Sequence, residues 1–223
     1  LIFMPGAYEI RKTIEQIKSA SLGESLAVMP LYGDLPFELQ QKAMETTQHR
    51  KIIVATNIAE TSLTIPGIRH VIDSGLARVN RFDPAKGFNM LYTESISQAS
   101  ADQRKGRAGR EAEGLCVRMW SQASHNDRAR LTEPEISRVD LADIILLLHM
   151  LGIRNPEMFD WFMPPPISAL NASISLLRNL GAIDNGGCVT EKGRIIASVP
   201  AHPRLAVLLL ESALRGAAKK GAL

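Results

Sequence analysis

The stretch Lys51-Ile-Ile-Val-Ala-Thr-Asn-Ile-Ala-Glu-Thr-Ser-Leu-Thr-Ile65 reads as a short β-branched run, Lys51–Ala55, that breaks into a loop crowded with hydroxyls. Working outward, short apolar runs alternate with helical patterns. Leu1–Phe3 precedes a helix near Tyr8–Ala20, Leu26–Leu31 precedes one near Glu38–Thr46, and Val71–Asp73 follows the central run. This β-α-β-α rhythm predicts an α/β domain built on a parallel sheet with helices on both faces. In an open parallel sheet, ligands bind beyond the carboxyl ends of the strands. Thr56, Thr61, Ser62 and Thr64 therefore stand at the expected mouth, suited to phosphate or sugar contacts. Taken alone, such a loop is more often an ordinary polar turn.

A second stretch raises the interest of the first. Gln103-Arg-Lys-Gly-Arg-Ala-Gly-Arg110 spaces Gln103, Arg107 and Arg110 at i, i+4 and i+7, which on a continuous helix share one face. Gly106 and Gly109 lie between them, each costing roughly 1 kcal/mol relative to alanine inside a helix. Small residues at that spacing admit a large anion or a facing domain, and guanidiniums grip phosphate oxygens two at a time. The bland alternative is a solvated basic face.

The segment Leu76–Tyr92, with Arg78, Asn80 and Phe82 alternating and a turn at Asp83–Gly87, predicts a protruding hairpin. A strand over Leu115–Trp120 closes the first domain. After about residue 135 the pattern becomes helical: Leu141–Leu151, then Ile167–Leu180 behind the breaker Pro164–Pro166, then a hairpin over Ala182–Thr190. Helix, helix and hairpin is the layout of a small winged-helix domain. Another apolar helix, Leu205–Leu214, follows Pro203, and Ala217–Leu223 reads as a frayed remnant. The boundaries read from these changes are 1–135, 136–200 and 201–223.

The composition, 45% hydrophobic and 22% charged over 223 residues, is that of an ordinary globular chain. No apolar run reaches membrane-spanning length and the start lacks a signal peptide's pattern, so no membrane partner and a cytoplasmic location are expected. The opening strand at residue 1 creates the expectation that the chain is cut from something longer. Cys116 and Cys188 lack metal-ligand spacing and read as reduced thiols. Net charge is only +3, although Arg104, Lys105, Arg107, Arg110 and Arg118 concentrate positive charge in one region.

These motifs together resemble the DEAH-box branch of superfamily 2 nucleic-acid helicases. Leu1-Ile-Phe-Met-Pro-Gly6 is similar to the strand of motif IV, and Leu31-Tyr-Gly-Asp-Leu-Pro36 with Gln40 and Gln41 to the segment after it. Thr56–Ile65 resembles motif V, Asp73-Ser-Gly75 its trailing strand end, and Gln103–Arg110 motif VI. Arg81-Phe-Asp-Pro-Ala-Lys-Gly87, with Pro134-Glu-Ile136 and Pro203-Arg-Leu205, is similar to the bacterial HrpB-type members.

The resemblance implies a second RecA-like domain, a winged helix and the start of a helical ratchet domain, with ATP held between this chain and the first RecA-like domain of the same parent. It implies that Gln103 helps hold the attacking water and that Arg107 and Arg110 act as arginine fingers. Ser62 would sense the nucleotide state, Thr64 would lie near the nucleotide, and Thr56 would contact a phosphate of single-stranded RNA or DNA. A carboxylate does not bind phosphate directly, so Glu60 is assigned to bracing the loop. Exposed Arg78 and Arg81 on the hairpin are assigned to nucleic acid.

Two positions depart from the family pattern. Pro66 stands where relatives often carry an acidic residue contacting the nucleotide, and Met44 near the position of a base-stacking aromatic. Met44 either covers an adenine face with its thioether or belongs to the core. No Gly-x-x-x-x-Gly-Lys-Ser/Thr loop and no Asp-Glu-x-His strand occurs in the sequence, so the Mg2+ ligands are assigned to the first RecA-like domain and the chain alone is expected to be inactive. The rival from another class is a stand-alone nucleic-acid-binding or interaction module without motor activity.

Overall fold

The computed structural model describes residues 1–20, 26–61 and 63–217. Residues 1–79 and 91–133 form one compact unit, and residues 80–90 with those from Pro134 onward form a second.

In the first unit the expected rhythm is present: β1 (Ile2–Phe3), α1 (Ala7–Ser19), β2 (Ala27–Leu31), α2 (Phe37–Met44), β3 (Lys51–Ala55) and β4 (His70–Asp73). β5 (Leu76–Asp83) and β6 (Phe88–Ser95) make a two-stranded hairpin, and α3 (Gln98–Gly106), β7 (Leu115–Arg118) and the short α4 (Gln122–Asn126) complete the series. The main sheet has the order β2-β3-β1-β4-β7, and its pairs are all parallel. Ile2 aligns with Val54 on one side and with Ile72 on the other.

Strand side chains alternate between faces, and each face has its own core. Phe3, Ile53, Ala55 and Val71 point to one side, packing with Leu31, Ala43, Ile65, Ile68 and Ala108. Ile2 and Val54 point to the other, beneath Ile10 of α1. Along that second face α1 reaches only part of the sheet: on β4 and β7, Ile72, Leu115 and Val117 remain 38%, 59% and 43% exposed.

The second unit contains α5 (Ala142–Met150), α6 (Ile167–Asn179), α7 (Glu191–Ser198) and α8 (Pro203–Leu214). Leu141, Ile145, Leu170, Leu177, Ile196 and Ala206 form its core. No single described helix is long and apolar enough to cross a membrane.

Three local expectations are revised. The hairpin over Ala182–Thr190 is a single antiparallel bridge, Ile183 to Val189, tightened by the Asp184 amide donating to the Cys188 carbonyl at 2.9 Å. Helix α7 is absent from the sequence reading because Gly193 weakens its helical pattern. The fold places that glycine where a Cβ would lie 2.0 Å from the Ala182 carbonyl oxygen, and Thr190 caps the helix by accepting from the Gly193 amide. The outer half of the β5–β6 hairpin does not protrude freely. Within the second unit the Phe82 amide donates to the Arg138 carbonyl at 2.7 Å, Arg138 Nη1 donates to the Asn80 carbonyl, and the Asp140 amide donates to Asn89 Oδ1 at 2.8 Å.

Candidate functional site

The loop that leaves β3 and the end of α3 meet in the first unit, at the carboxyl end of the sheet. Thr56 begins the loop, its amide donating to the Leu31 carbonyl at 3.1 Å, and Asn57–Ala59 form one 3₁₀ turn. On the opposing side, Ser97 caps α3 by accepting from the Ser100 amide at 3.1 Å. The helix stops at Gly106, and Arg107 is its C-cap. Two glycines in four residues withdraw helix propensity, so the chain turns through Ala108 and Gly109 instead of continuing.

That early stop breaks the expected stripe. Gln103 and Arg110 are exposed, whereas Arg107 is 5% exposed. Its Nε donates to the Glu60 carbonyl at 2.7 Å, Nη2 donates to the same oxygen, and Nη1 donates to the Leu63 carbonyl. Burial lowers the Arg107 pKa, the neighbouring Arg110 charge adds to this, and Glu60 opposes it. In this arrangement Arg107 closes the loop on itself. Arg110 instead leans toward the loop's outer rim, Nη1 lying 3.4 Å from Thr64 Oγ1.

Beneath the rim lies an arginine that the sequence marks only as part of a basic region. Arg104 is fully buried and reaches two carboxylates: Nε donates to Glu60 Oε2 and Nη1 to Asp73 Oδ1, each at 2.9 Å. Ser100 Oγ donates to the other Glu60 oxygen at 2.7 Å. Glu60 therefore braces the loop through its side chain and through its carbonyl. The signal for Arg104 was present: Ser97, Ser100, Ala101, Arg104 and Ala108, all buried, follow helical spacing one residue away from the basic stripe. Asp73, in phase with buried Val71, likewise marks a charge pointing inward.

Asp73 also holds the next corner. Its Oδ1 accepts from the Gly75 amide at 2.9 Å, and Gly75 has φ +74°. A Cβ there would lie 2.6 Å from Arg128 Nη2 and from Trp120 Cε3, so the corner needs glycine both for its dihedral and for its space.

The remaining candidates divide. Thr64 is exposed at the rim and Thr56 half-buried at the loop's start, while Met44 is half-buried at the end of α2. Ser62 lies outside the described residues. Arg78 packs over Gly6 and faces Glu9, Nη2 to Oε2 3.6 Å, and is thus partly committed to a carboxylate. Arg81 is half-buried and belongs to the second unit, so the two hairpin arginines do not form one basic patch within a single unit. At Gly106 and Gly109 a Cβ would meet nothing within 4 Å. Nothing among the described residues demands glycine there, and the room above them is open.

Chemically, the rim offers the Arg110 guanidinium and the Thr64 hydroxyl over a loop locked from below, with the Gln103 amide exposed on α3. This suits phosphate oxygens, which accept from all three donor types. Among the described residues, no cluster of His, Cys, Asp or Glu is arranged to hold a metal ion.

The family described as the helicase conserved C-terminal domain matches residues 1–112. The ATP-dependent RNA helicase HrpA of Escherichia coli (strain K12) is 39% identical over 225 residues, covering 99% of this chain and 17% of that protein. The pre-mRNA-splicing factor ATP-dependent RNA helicase prp22 of Schizosaccharomyces pombe is 39% identical over 228 residues, covering 99% of this chain and 20% of its own length. The crystal structure of the Escherichia coli DEAH/RHA helicase HrpB superposes with a TM-score of 0.87 at 38% identity, covering 99% of this chain and 28% of that one. The chain thus spans between about a sixth and just over a quarter of the length of these relatives.

Proposed function

Because this chain belongs to the helicase conserved C-terminal domain family, we propose that it is the second RecA-like domain, followed by a winged helix and the start of a helical ratchet domain, of an ATP-dependent nucleic-acid helicase of the DEAH-box type. The observation that carries this reading is the division of labour among the motif VI side chains. Arg110 reaches Thr64 at the rim and Gln103 is exposed on α3, while Arg104 and Arg107 are buried and hold the loop beneath them.

The rim fits the phosphates of ATP by its chemistry: an exposed guanidinium, a threonine hydroxyl, and open room at Gly106 and Gly109, with the exposed Gln103 amide on the helix that leads to them. When bound, ATP supplies the phosphoryl group whose transfer to water drives the motor. Arg110 then stabilises negative charge developing on that group, and Gln103 orients the water through its side-chain amide. Thr64 donates to a nucleotide oxygen, and Ser62 is assigned to the same edge. Thr56, at the start of the loop, is assigned to a phosphate of single-stranded RNA or DNA. Phosphate contacts position a strand without reading its sequence. Arg107 serves the loop in the arrangement seen; acting as a finger requires it to release the Glu60 and Leu63 carbonyls. The Mg2+ ligands and the phosphate cradle come from the first RecA-like domain of the parent, which closes on the rim when nucleotide binds.

The test is nucleic-acid-stimulated ATP hydrolysis by the full-length parent, wild type against Gln103→Ala and Arg110→Ala. Loss of turnover in both variants with ATP binding retained supports the assignment. Wild-type turnover in both removes the rim from catalysis and leaves a nucleic-acid-binding module as the better reading.

A further inference from the structure

The buried charges behind the rim are poorly suited to holding a fold together and well suited to connecting two parts of it. Arg104 joins the 56–65 loop, through Glu60 Oε2 at 2.9 Å, to the corner after β4, through Asp73 Oδ1 at 2.9 Å and the Leu76 carbonyl at 3.2 Å. Its guanidinium lies 4.7 Å above the centre of the Phe3 ring, in contact with the sheet's core. Arg104 and Asp73 are both 0% exposed.

The pairing is incomplete. Arg104 Nη2 and Asp73 Oδ2 are both buried without a hydrogen-bond partner, although the two residues already meet through Nη1 and Oδ1. Asp73 Oδ1 is shared instead between Arg104 and the Gly75 amide. A guanidinium and a carboxylate are strongest in a two-point fork, and that fork is left unmade here. Two carboxylates also face one buried cation. Apolar side chains of similar volume hold a core at least as well as such a group, so stability alone does not account for it.

We infer that Arg104 is a positioning residue that couples the phosphate-facing loop to the root of the β5–β6 hairpin. Its two ends sit on different elements: Glu60 lies inside the loop that carries Thr56 and Thr64, and Leu76 is the first residue of β5. A shift of Glu60 pulls Arg104 along its own axis and exchanges the single Asp73 contact for the two-point fork, turning the Asp73–Gly75 corner from which the hairpin departs. Neither the loop nor the corner moves without the other while the guanidinium bridges them. The inference rests on the helicase reading and deepens it, since the loop is the part assigned to nucleotide and nucleic acid.

The experiment uses the full-length parent with Asp73→Asn, which keeps the shape and the Gly75 contact but removes the charge that the fork needs. Hydrolysis is measured with and without single-stranded RNA, together with the KM for ATP. The expected result is near-wild-type hydrolysis and KM without RNA, and a stimulation ratio lowered about tenfold, within the usual range of coupling between sites. Arg104→Lys, which keeps charge and loses the fork, should lower the stimulation ratio in the same sense. If Asp73→Asn does not fold, Ser100→Ala loosens only the Glu60 end and should lower the stimulation ratio in the same sense. An unchanged ratio in a folded variant, or basal and stimulated rates falling in step, overturns the coupling role. A wild-type parent whose hydrolysis ignores RNA overturns the helicase reading itself, and the coupling role with it.

Discussion

Arg104 Nε and Glu60 Oε2 lie 2.9 Å apart across 44 residues of sequence, with the arginine side chain 1% and the glutamate side chain 13% exposed. This pair sets the height and angle of the 56–65 loop, because Glu60 is the residue that α3 grips through both its carboxylate and its carbonyl.

Removing the buried cation should therefore be costly. Arg104→Met leaves the Glu60 and Asp73 carboxylates without the buried cation they share, with only the Ser100 hydroxyl and the Gly75 amide still donating to them. Breaking a buried pair in this way costs about 3–5 kcal/mol. Denaturant titration of the 223-residue chain, following the transition of the first unit, should show its midpoint lowered accordingly. A change below about 1 kcal/mol would place the group in the class of screened surface pairs.

Arg110→Ala should behave in the opposite way. The side chain is exposed, so stability should stay within about 0.5 kcal/mol of wild type. In the full-length parent the turnover number should fall about 10³-fold, the contribution of a cis arginine finger. Steady-state kinetics across ATP concentration separates this from a binding defect.

The 223-residue chain by itself should hydrolyse no ATP above background, because it has no phosphate loop and no Asp-Glu-x-His strand. It should bind single strands weakly and in a salt-dependent manner, in the non-specific range of about 10⁻⁴ to 10⁻⁶ M. Fluorescence anisotropy with labelled RNA and DNA over a salt series measures this. Nanomolar binding with strong base preference would favour the recognition module.

The second unit carries a pH-sensitive group in His149. Burial lowers its pKa from the ordinary 6.5, with the nearby Gly187 backbone acting against the shift and the Arg178 charge adding to it. The unfolded chain then takes up a proton at a pH where the folded one does not, so stability falls as pH drops below about 6.5. Urea melts of wild type and His149→Leu between neutral and mildly acidic pH should show a slope in the first that is reduced in the second. Equal slopes would remove His149 from the account.

The identity of most elements was legible in the sequence, since periodicity and turn chemistry are local properties. Lys51–Ala55 has the same limits as β3, and the strand Val71–Asp73 and the Asp83–Gly87 turn fall within one residue of their positions in the fold. The residues of the rim, Arg110 and Thr64, and the exposed Gln103 were visible for the same reason. What the sequence could not settle is which charges face inward. Helical spacing put Gln103, Arg107 and Arg110 together, but α3 ends at Gly106 and the turn carries Arg107 under the loop, where backbone carbonyls 44 to 47 residues away receive it. Asp73 and Glu60 become partners of one arginine only because parallel strands bring their carboxyl ends to a common edge. The hairpin's outer half joins the second unit through residues 138 and 140. Such pairings join residues far apart in the chain, so no short window of sequence contains both partners. They are decided by the packing of the sheet.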